Sequence, residues 1–176
     1  EREAFEVACN SLDIPVFFAA SSCRNLCVIR SELAVLQKRG KEVTEEELIQ
    51  IALKQHWYEE EKGTPLKYIG KLVESFGLKV ERRFCREINE LFRELEQGHD
   101  VIACVDGGGN LEQEEFEDRW IGEIPDHVVL VRNIDYSEPP RVEVYDVAME
   151  EPVRYYPLDC FIDSWKDSKY YMISIK

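Results

Sequence analysis

Two kinds of hydrophobic periodicity divide this chain between them, and that division limits its fold more than any other feature. From Leu26 to about Gly98 the apolar residues recur at spacings of three and four; from Val101 to Ile175 they fall in short β-branched and aromatic runs. The first spacing places side chains on one face of a helix, and the second, bounded by turn residues, reads as strands. Four helices are expected first. One carries Ile29, Leu33 and Leu36 and stops at Gly40. The next opens on Thr44 and Glu47, a capping box, and carries Leu48, Ile51 and Ala52. A third follows Thr64-Pro65 through Leu66, Ile69, Leu72 and Phe76 to Gly77. The fourth starts near Arg86, turns Ile88, Leu91 and Leu95 inward and ends at Gly98. Strands are expected over Val101 to Val105, His127 to Ile134, Arg141 to Val147, Val153 to Tyr156 and Lys169 to Ile175, with a short helix around Phe161 to Trp165. Helices followed by an antiparallel sheet make an α+β fold. A chain of 176 residues, 44% of them apolar, is long enough to close one core. No repeat, low-complexity tract or linker interrupts it, so residues 1–176 are expected to form a single domain.

Charge narrows the possible partners. With 22 basic and 36 acidic residues the net charge is −14, which repels phosphate backbones and argues against nucleic acid. The densest acidic run, Glu112 to Asp118, reads as a solvated loop. No stretch reaches the ~18 apolar residues of a membrane span, and no signal-peptide pattern is present. Because the sequence begins at Glu1 rather than at a methionine, an excised or processed segment is expected. The six cysteines (Cys9, Cys23, Cys27, Cys85, Cys104 and Cys160) are scattered, and Cys104 lies inside the apolar run Val101-Ile-Ala-Cys-Val. That is the pattern of free thiols, so a reducing, cytoplasmic compartment is expected.

One cysteine stands out by position. Asn25 can cap the helix beside it, which places Cys27 in the first turn, among unpaired backbone N–H groups at the positive end of the helix dipole. Both favour thiolate, as a nucleophilic cysteine requires. His127 opens a strand whose alternation puts it on one face with Val129 and Val131. If the hairpin is symmetric about the turn Asp135 to Pro140, His127 lies opposite Asp146, with Cβ atoms about 4.5–5.5 Å apart. A carboxylate there would orient the imidazole. The plainer alternatives are a small residue at a helix start, a strand-end histidine and a turn aspartate. His56 and His99 have no such setting and read as surface residues.

Several segments carry a resemblance: Leu26-Cys-Val-Ile-Arg-Ser-Glu-Leu33, Val43-Thr-Glu-Glu-Glu-Leu48, Gly63-Thr-Pro-Leu66 and Gly70-Lys-Leu-Val-Glu-Ser-Phe-Gly77. Further on come Gly98 to Asp106, Asp126 to Asp135, Val142 to Asp146 and Tyr156 to Trp165. In this order they resemble bacterial papain-like domains related to the double-glycine-leader, bacteriocin-processing peptidases. The resemblance implies a papain-like cysteine proteinase fold, with Cys27 as nucleophile, His127 as general base and Asp146 as orienter. The chain departs from that family in two places. The family usually carries a glutamine upstream of its cysteine to stabilise the oxyanion, whereas Ala19 to Asn25 contains none. Ser21, Ser22 and Asn25, with the Cys27 backbone N–H, are the remaining oxyanion candidates. After Asp146, Val-Ala-Met-Glu replaces the usual turn with proline and glycine.

The implied chemistry is acyl transfer on a peptide or protein substrate, with no cofactor. Cys27 attacks an amide carbonyl, His127 protonates the leaving amine, and water resolves the thioester. The alternative is a catalytically weak relative that binds a peptide in the same cleft. Zinc is the weaker reading of Cys23 and Cys27, because no second close pair accompanies them. Gly107-Gly-Gly109 is no phosphate loop, since neither lysine nor a clear helix follows.

Overall fold

The computed structural model describes residues 26–106 and 127–176. Cys9, Ser21, Ser22, Cys23, Asn25, Gly107 to Gly109 and the acidic run Glu112 to Asp118 lie outside them. Helix α1 (Cys27–Lys38) and helix α2 (Glu45–Lys54) come first, then a single 3-10 turn (Leu66–Tyr68) and helix α3 (Lys71–Ser75). Strand β1 (Val80–Phe84), helix α4 (Ile88–Glu96) and strands β2 (Asp100–Val105), β3 (His127–Asp135), β4 (Arg141–Tyr145) and β5 (Val153–Pro157) follow. Helix α5 (Leu158–Lys166) and strand β6 (Tyr171–Ile175) complete the set. The result is the α+β architecture that the periodicities predict.

The six strands form one sheet in the order β1-β6-β2-β3-β4-β5, and each neighbouring pair is antiparallel. Strand β2 explains how the sheet sits. Its residues alternate between two cores: Ile102 and Cys104 pack with α1, α2 and α3, while Val101, Ala103 and Val105 pack with Leu91 of α4 and with Phe161 and Trp165 of α5. A strand buried on both faces has to be apolar at nearly every position, and β2 is. Trp165, fully buried, donates from its indole N–H to the Tyr171 carbonyl at 2.9 Å, fastening α5 to β6.

The helix starts and stops follow local chemistry. At α2 the Thr44 hydroxyl accepts from the Glu47 N–H at 3.2 Å, and the Glu47 carboxylate accepts from the Thr44 N–H at 2.8 Å, completing the expected capping box. Three expectations need correction. The buried stripe of α1 includes Val28, Ile29, Ser31, Glu32, Val35 and Leu36, and Leu33 is only half-buried. The helix expected from Pro65 to Gly77 is broken in two, because Ile69 is extended and Gly70 adopts a left-handed φ of 92°. A Cβ at Gly70 would lie 2.9 Å from Val80 Cγ1 and 3.0 Å from Arg82 Nη2, so the chain must leave the helix to let β1 pass. Strand β1 itself was not expected. Its charged residues are engaged: Arg82 donates to the Ile69 carbonyl at 2.7 Å and to Glu74 at 2.8 Å, Arg83 to Glu94 at 2.9 Å, and Glu81 pairs with Lys176 at 2.9 Å. Among the described residues no helix is long and apolar enough to cross a membrane.

Candidate active site

Helix α1 begins at Cys27 itself. Its N-cap position falls on Leu26, which makes no side-chain cap, and the first turn carries no acidic residue. The cap expected from Asn25 lies outside the described residues. The first-turn N–H groups beside Cys27 are thus without a side-chain cap from Leu26, and the helix dipole points its positive end at the sulfur.

His127 is the first residue of β3, paired with Val105 of β2. Its Nε2 lies 2.8 Å from Asp146 Oδ2, and the Cys27 thiol is within hydrogen-bonding reach of the same imidazole. With Nε2 engaged, Nδ1 is left for the sulfur. Cys27, His127 and Asp146 are therefore brought together, with side chains almost closed to solvent at His127 and Asp146 (12% and 2%).

The hairpin reaches this contact by another register than the one expected. Asp135 faces Arg141, but a bulge between Val131 and Asn133 shifts the pairing, and Leu130 faces Tyr145. Continued past Tyr145, that register sets Asp146 beside Val129, so His127 meets it on the diagonal. Val129 and Val131 pack with α4 and α5, and Val105, the partner of His127 across β2, belongs to the same core, while Cys27 belongs to the core on the other side. As the first residue of β3, His127 stands at the sheet's end, where its imidazole meets Asp146.

Asp146 is locked in place. Its N–H donates to the Pro152 carbonyl at 2.7 Å, and Oδ1 accepts from the Ala148 N–H at 3.0 Å, leaving Oδ2 for the histidine. A carboxylate that receives two donors is held in one rotamer, and the turn Val147 to Glu150 supplies one of them. Burial pulls the His127 pKa down, but the hydrogen bonds it makes to Asp146 and Cys27, with the charges of both, outweigh it and lift it to about 10.

The other thiols are unlike Cys27 in setting. Burial pushes Cys85 up to about 12, aided by Glu90. Burial also raises Cys104 well above the usual thiol range, and the nearby Cys27 sulfur adds to the effect. Both stay protonated and unreactive at neutral pH. None of Cys27, Cys85, Cys104 and Cys160 is in a disulfide. Among the described residues no cluster of three or more His, Cys, Asp or Glu could hold a metal ion.

His56 is exposed, as expected, but His99 is not a surface residue. Its Nδ1 lies 2.6 Å from Glu94 Oε2, and Glu94 also receives Arg83 and the Ser174 hydroxyl. The signal was readable: Glu94 falls three residues after Leu91 on the inward stripe of α4, where a charged residue implies a buried partner.

No protein-family model and no curated protein matches the sequence. The fold is similar to the crystal structure of a "putative C39-like peptidase" from Bacillus anthracis, with a TM-score of 0.61 over 86% of this chain and 88% of that one, at 13% sequence identity. At that identity the likeness is one of fold.

Proposed function

We propose that this chain is a single-domain cysteine-dependent amide hydrolase acting on peptide or protein substrates, with Cys27 as nucleophile, His127 as acid–base and Asp146 as its orienter. One observation carries the reading: an imidazole held at 2.8 Å by a buried carboxylate has within its reach a cysteine at the first position of a helix. C39 peptidases are the bacteriocin-processing group that the sequence segments resemble, and the fold likeness points the same way.

In this reading the protonated His127 stabilises a Cys27 thiolate through Nδ1. The sulfur adds to the substrate carbonyl carbon, the carbon–nitrogen bond breaks, and the imidazolium gives its proton to the departing amine. Neutral His127 then takes a proton from water, whose oxygen displaces the sulfur from the thioester and releases the acid. The Cys27 N–H and Ser21, Ser22 or Asn25 are the candidates to bind the oxyanion.

A second reading follows from the stretch Ala19 to Asn25, which has no glutamine. Loss of an oxyanion donor typically costs about 10²–10³ in rate, and a domain so weakened would serve to bind peptides. Two measurements decide. Iodoacetamide labelling of Cys27 is expected to be fast at pH 6 and slowed by His127→Ala; labelling like that of a free thiol of pKa about 8.5, indifferent to the histidine, sinks the ion pair. Peptide cleavage abolished by Cys27→Ala supports the hydrolase, and tight binding without turnover supports the binder.

A further inference from the structure

Among the buried residues of α1, Glu32 alone carries a carboxyl; it is 1% exposed, and the chemistry described above does not use it. A carboxylic acid leaves water only where partners wait for it. Here they are backbone groups. The Val73 N–H donates to Oε1 at 3.2 Å, and the Gly70 and Leu72 N–H groups turn toward the same carboxyl. Together they form the turn that opens α3, where the left-handed Gly70 aims successive N–H groups to one side. That turn is itself fastened to the sheet. Arg82 of β1 donates to the Ile69 carbonyl just before it and to Glu74 just after it, at 2.7 and 2.8 Å. Strand β1 pairs with β6, β6 with β2, and β2 with β3, which starts at His127. A continuous series of polar links thus joins the helix of the thiol to the strand of the imidazole.

We propose that Glu32 is a positioning residue: its hold on the turn from Gly70 to Val73 sets the rotation and axial place of α1, and with them the meeting of Cys27 and His127. The catalytic consequence rests on the hydrolase reading above. Cys27 is the first residue of α1, and Leu26 gives the helix no side-chain cap, so the sulfur goes where the body of the helix is held. Glu32 lies five residues on, about 7.5 Å along the axis and about 140° around it. It therefore reaches α3 on one side while Cys27 meets His127 on another. Apolar contacts such as those of Ile29 and Leu36 have no direction and tolerate small rotations. Hydrogen bonds to fixed N–H groups do not. Two other polar ties of α1 are less well placed. Arg30 meets Glu45 at a partly open surface, where ion pairs hold weakly, and Lys38 and Arg39 grip Asp100 at the far end of the helix.

The test compares the full chain with its Glu32→Leu, Glu32→Gln and Glu32→Asp variants, each held well below its thermal midpoint. Leucine keeps the bulk and offers no acceptor; glutamine keeps one oxygen. In Glu32→Leu, iodoacetamide labelling of Cys27 at pH 6 is expected to slow about tenfold or more. The His127 titration, followed by NMR, is expected to fall by about 1 pH unit or more, since the imidazole loses the sulfur and keeps Asp146. Glu32→Gln is expected to restore labelling to within about threefold of the unaltered chain. On a cleaved peptide, Glu32→Leu is expected to lower kcat about 10–10²-fold while KM stays within about twofold. A role in stability alone moves none of these in folded protein, so a folded Glu32→Leu with unchanged labelling and titration overturns the proposal. If that variant does not fold, Glu32→Asp decides, because its carboxyl stops one methylene short of the turn. Slowed labelling that Glu32→Gln does not share supports the positioning role, and labelling as fast as in the unaltered chain overturns it. If the unaltered chain cuts no peptide, the hydrolase reading fails on its own account, and labelling and titration still decide Glu32.

Discussion

At the scale of single residues, His127 is pulled two ways. Burial favours the neutral ring, and Asp146 with Cys27 favours the charged one; the partners win, and the pKa rises to about 10. Asp146→Ala removes the larger favourable partner and leaves the burial. The His127 titration followed by NMR is then expected to move from about 10 toward or below the ordinary value near 6.5. Hydrolysis is expected to fall by about 10²–10⁴-fold. A midpoint that stays near 10 would show that Asp146 does not hold the proton. The contact between these two residues was legible in the sequence only through a mistaken register. The bulge at β3 could not be foreseen, but a side chain at a strand end reaches a diagonal neighbour almost as easily as an opposed one. Cys27 needed less luck, because a helix start is a local property. What no local rule could supply was the joining of α1 to β3, which arises when the helical layer packs on the sheet.

At the scale of elements, the third helix shows how a correct signal can be read past. The apolar spacing from Leu66 to Phe76 is helical throughout, and only Gly70 marks the break. Its purpose is visible in β1, whose Val80 and Arg82 occupy the space a side chain there would need. Gly70→Ala is therefore expected to destabilise the fold by about 1–3 kcal/mol, from the left-handed φ and the clash together. Urea denaturation checks this, and an unchanged midpoint would mean that the turn relaxes freely. Strand β1 is not among the strands expected from the sequence: three of its five residues, Glu81, Arg82 and Arg83, are charged, and no apolar alternation marks it. Charges are common on edge strands, where they discourage pairing with other chains. Here they also tie β1 inward, to Glu74 and Glu94, and that role depends on partners distant in sequence.

At the scale of the whole molecule, two buried groups shape stability against pH in the same sense. Burial raises Glu32 from 4.5 to about 8, against the opposing backbone N–H bonds of Val73, Gly70 and Leu72 and the charge of Arg82. An acid whose folded pKa is raised lends stability that is complete below about 4.5 and lost as pH climbs through about 8. For His127 the same loss runs from about 6.5 to about 10. Thermal midpoints are accordingly expected to decline from weakly acid to alkaline pH. Glu32→Gln keeps an oxygen for the Val73 N–H, now 3.2 Å from the carboxylate, and removes the titration. The variant is expected to match the unaltered chain near pH 4.5 and to be the more stable above pH 8; parallel curves would show that Glu32 does not enter the core as a neutral acid. The division into helices and sheet was legible because it is written in spacing. The strand order was not, since spacing says nothing about which strands become neighbours.

That order has a consequence in time. Strand β6, the last to be synthesised of the six, lies between β1 and β2. Until it emerges from the ribosome β1 has no neighbour, and β2 is bare along one edge. The sheet is therefore completed from its middle: Tyr171 to Ile175 must be made before β1 can join β2 and the strands beyond it.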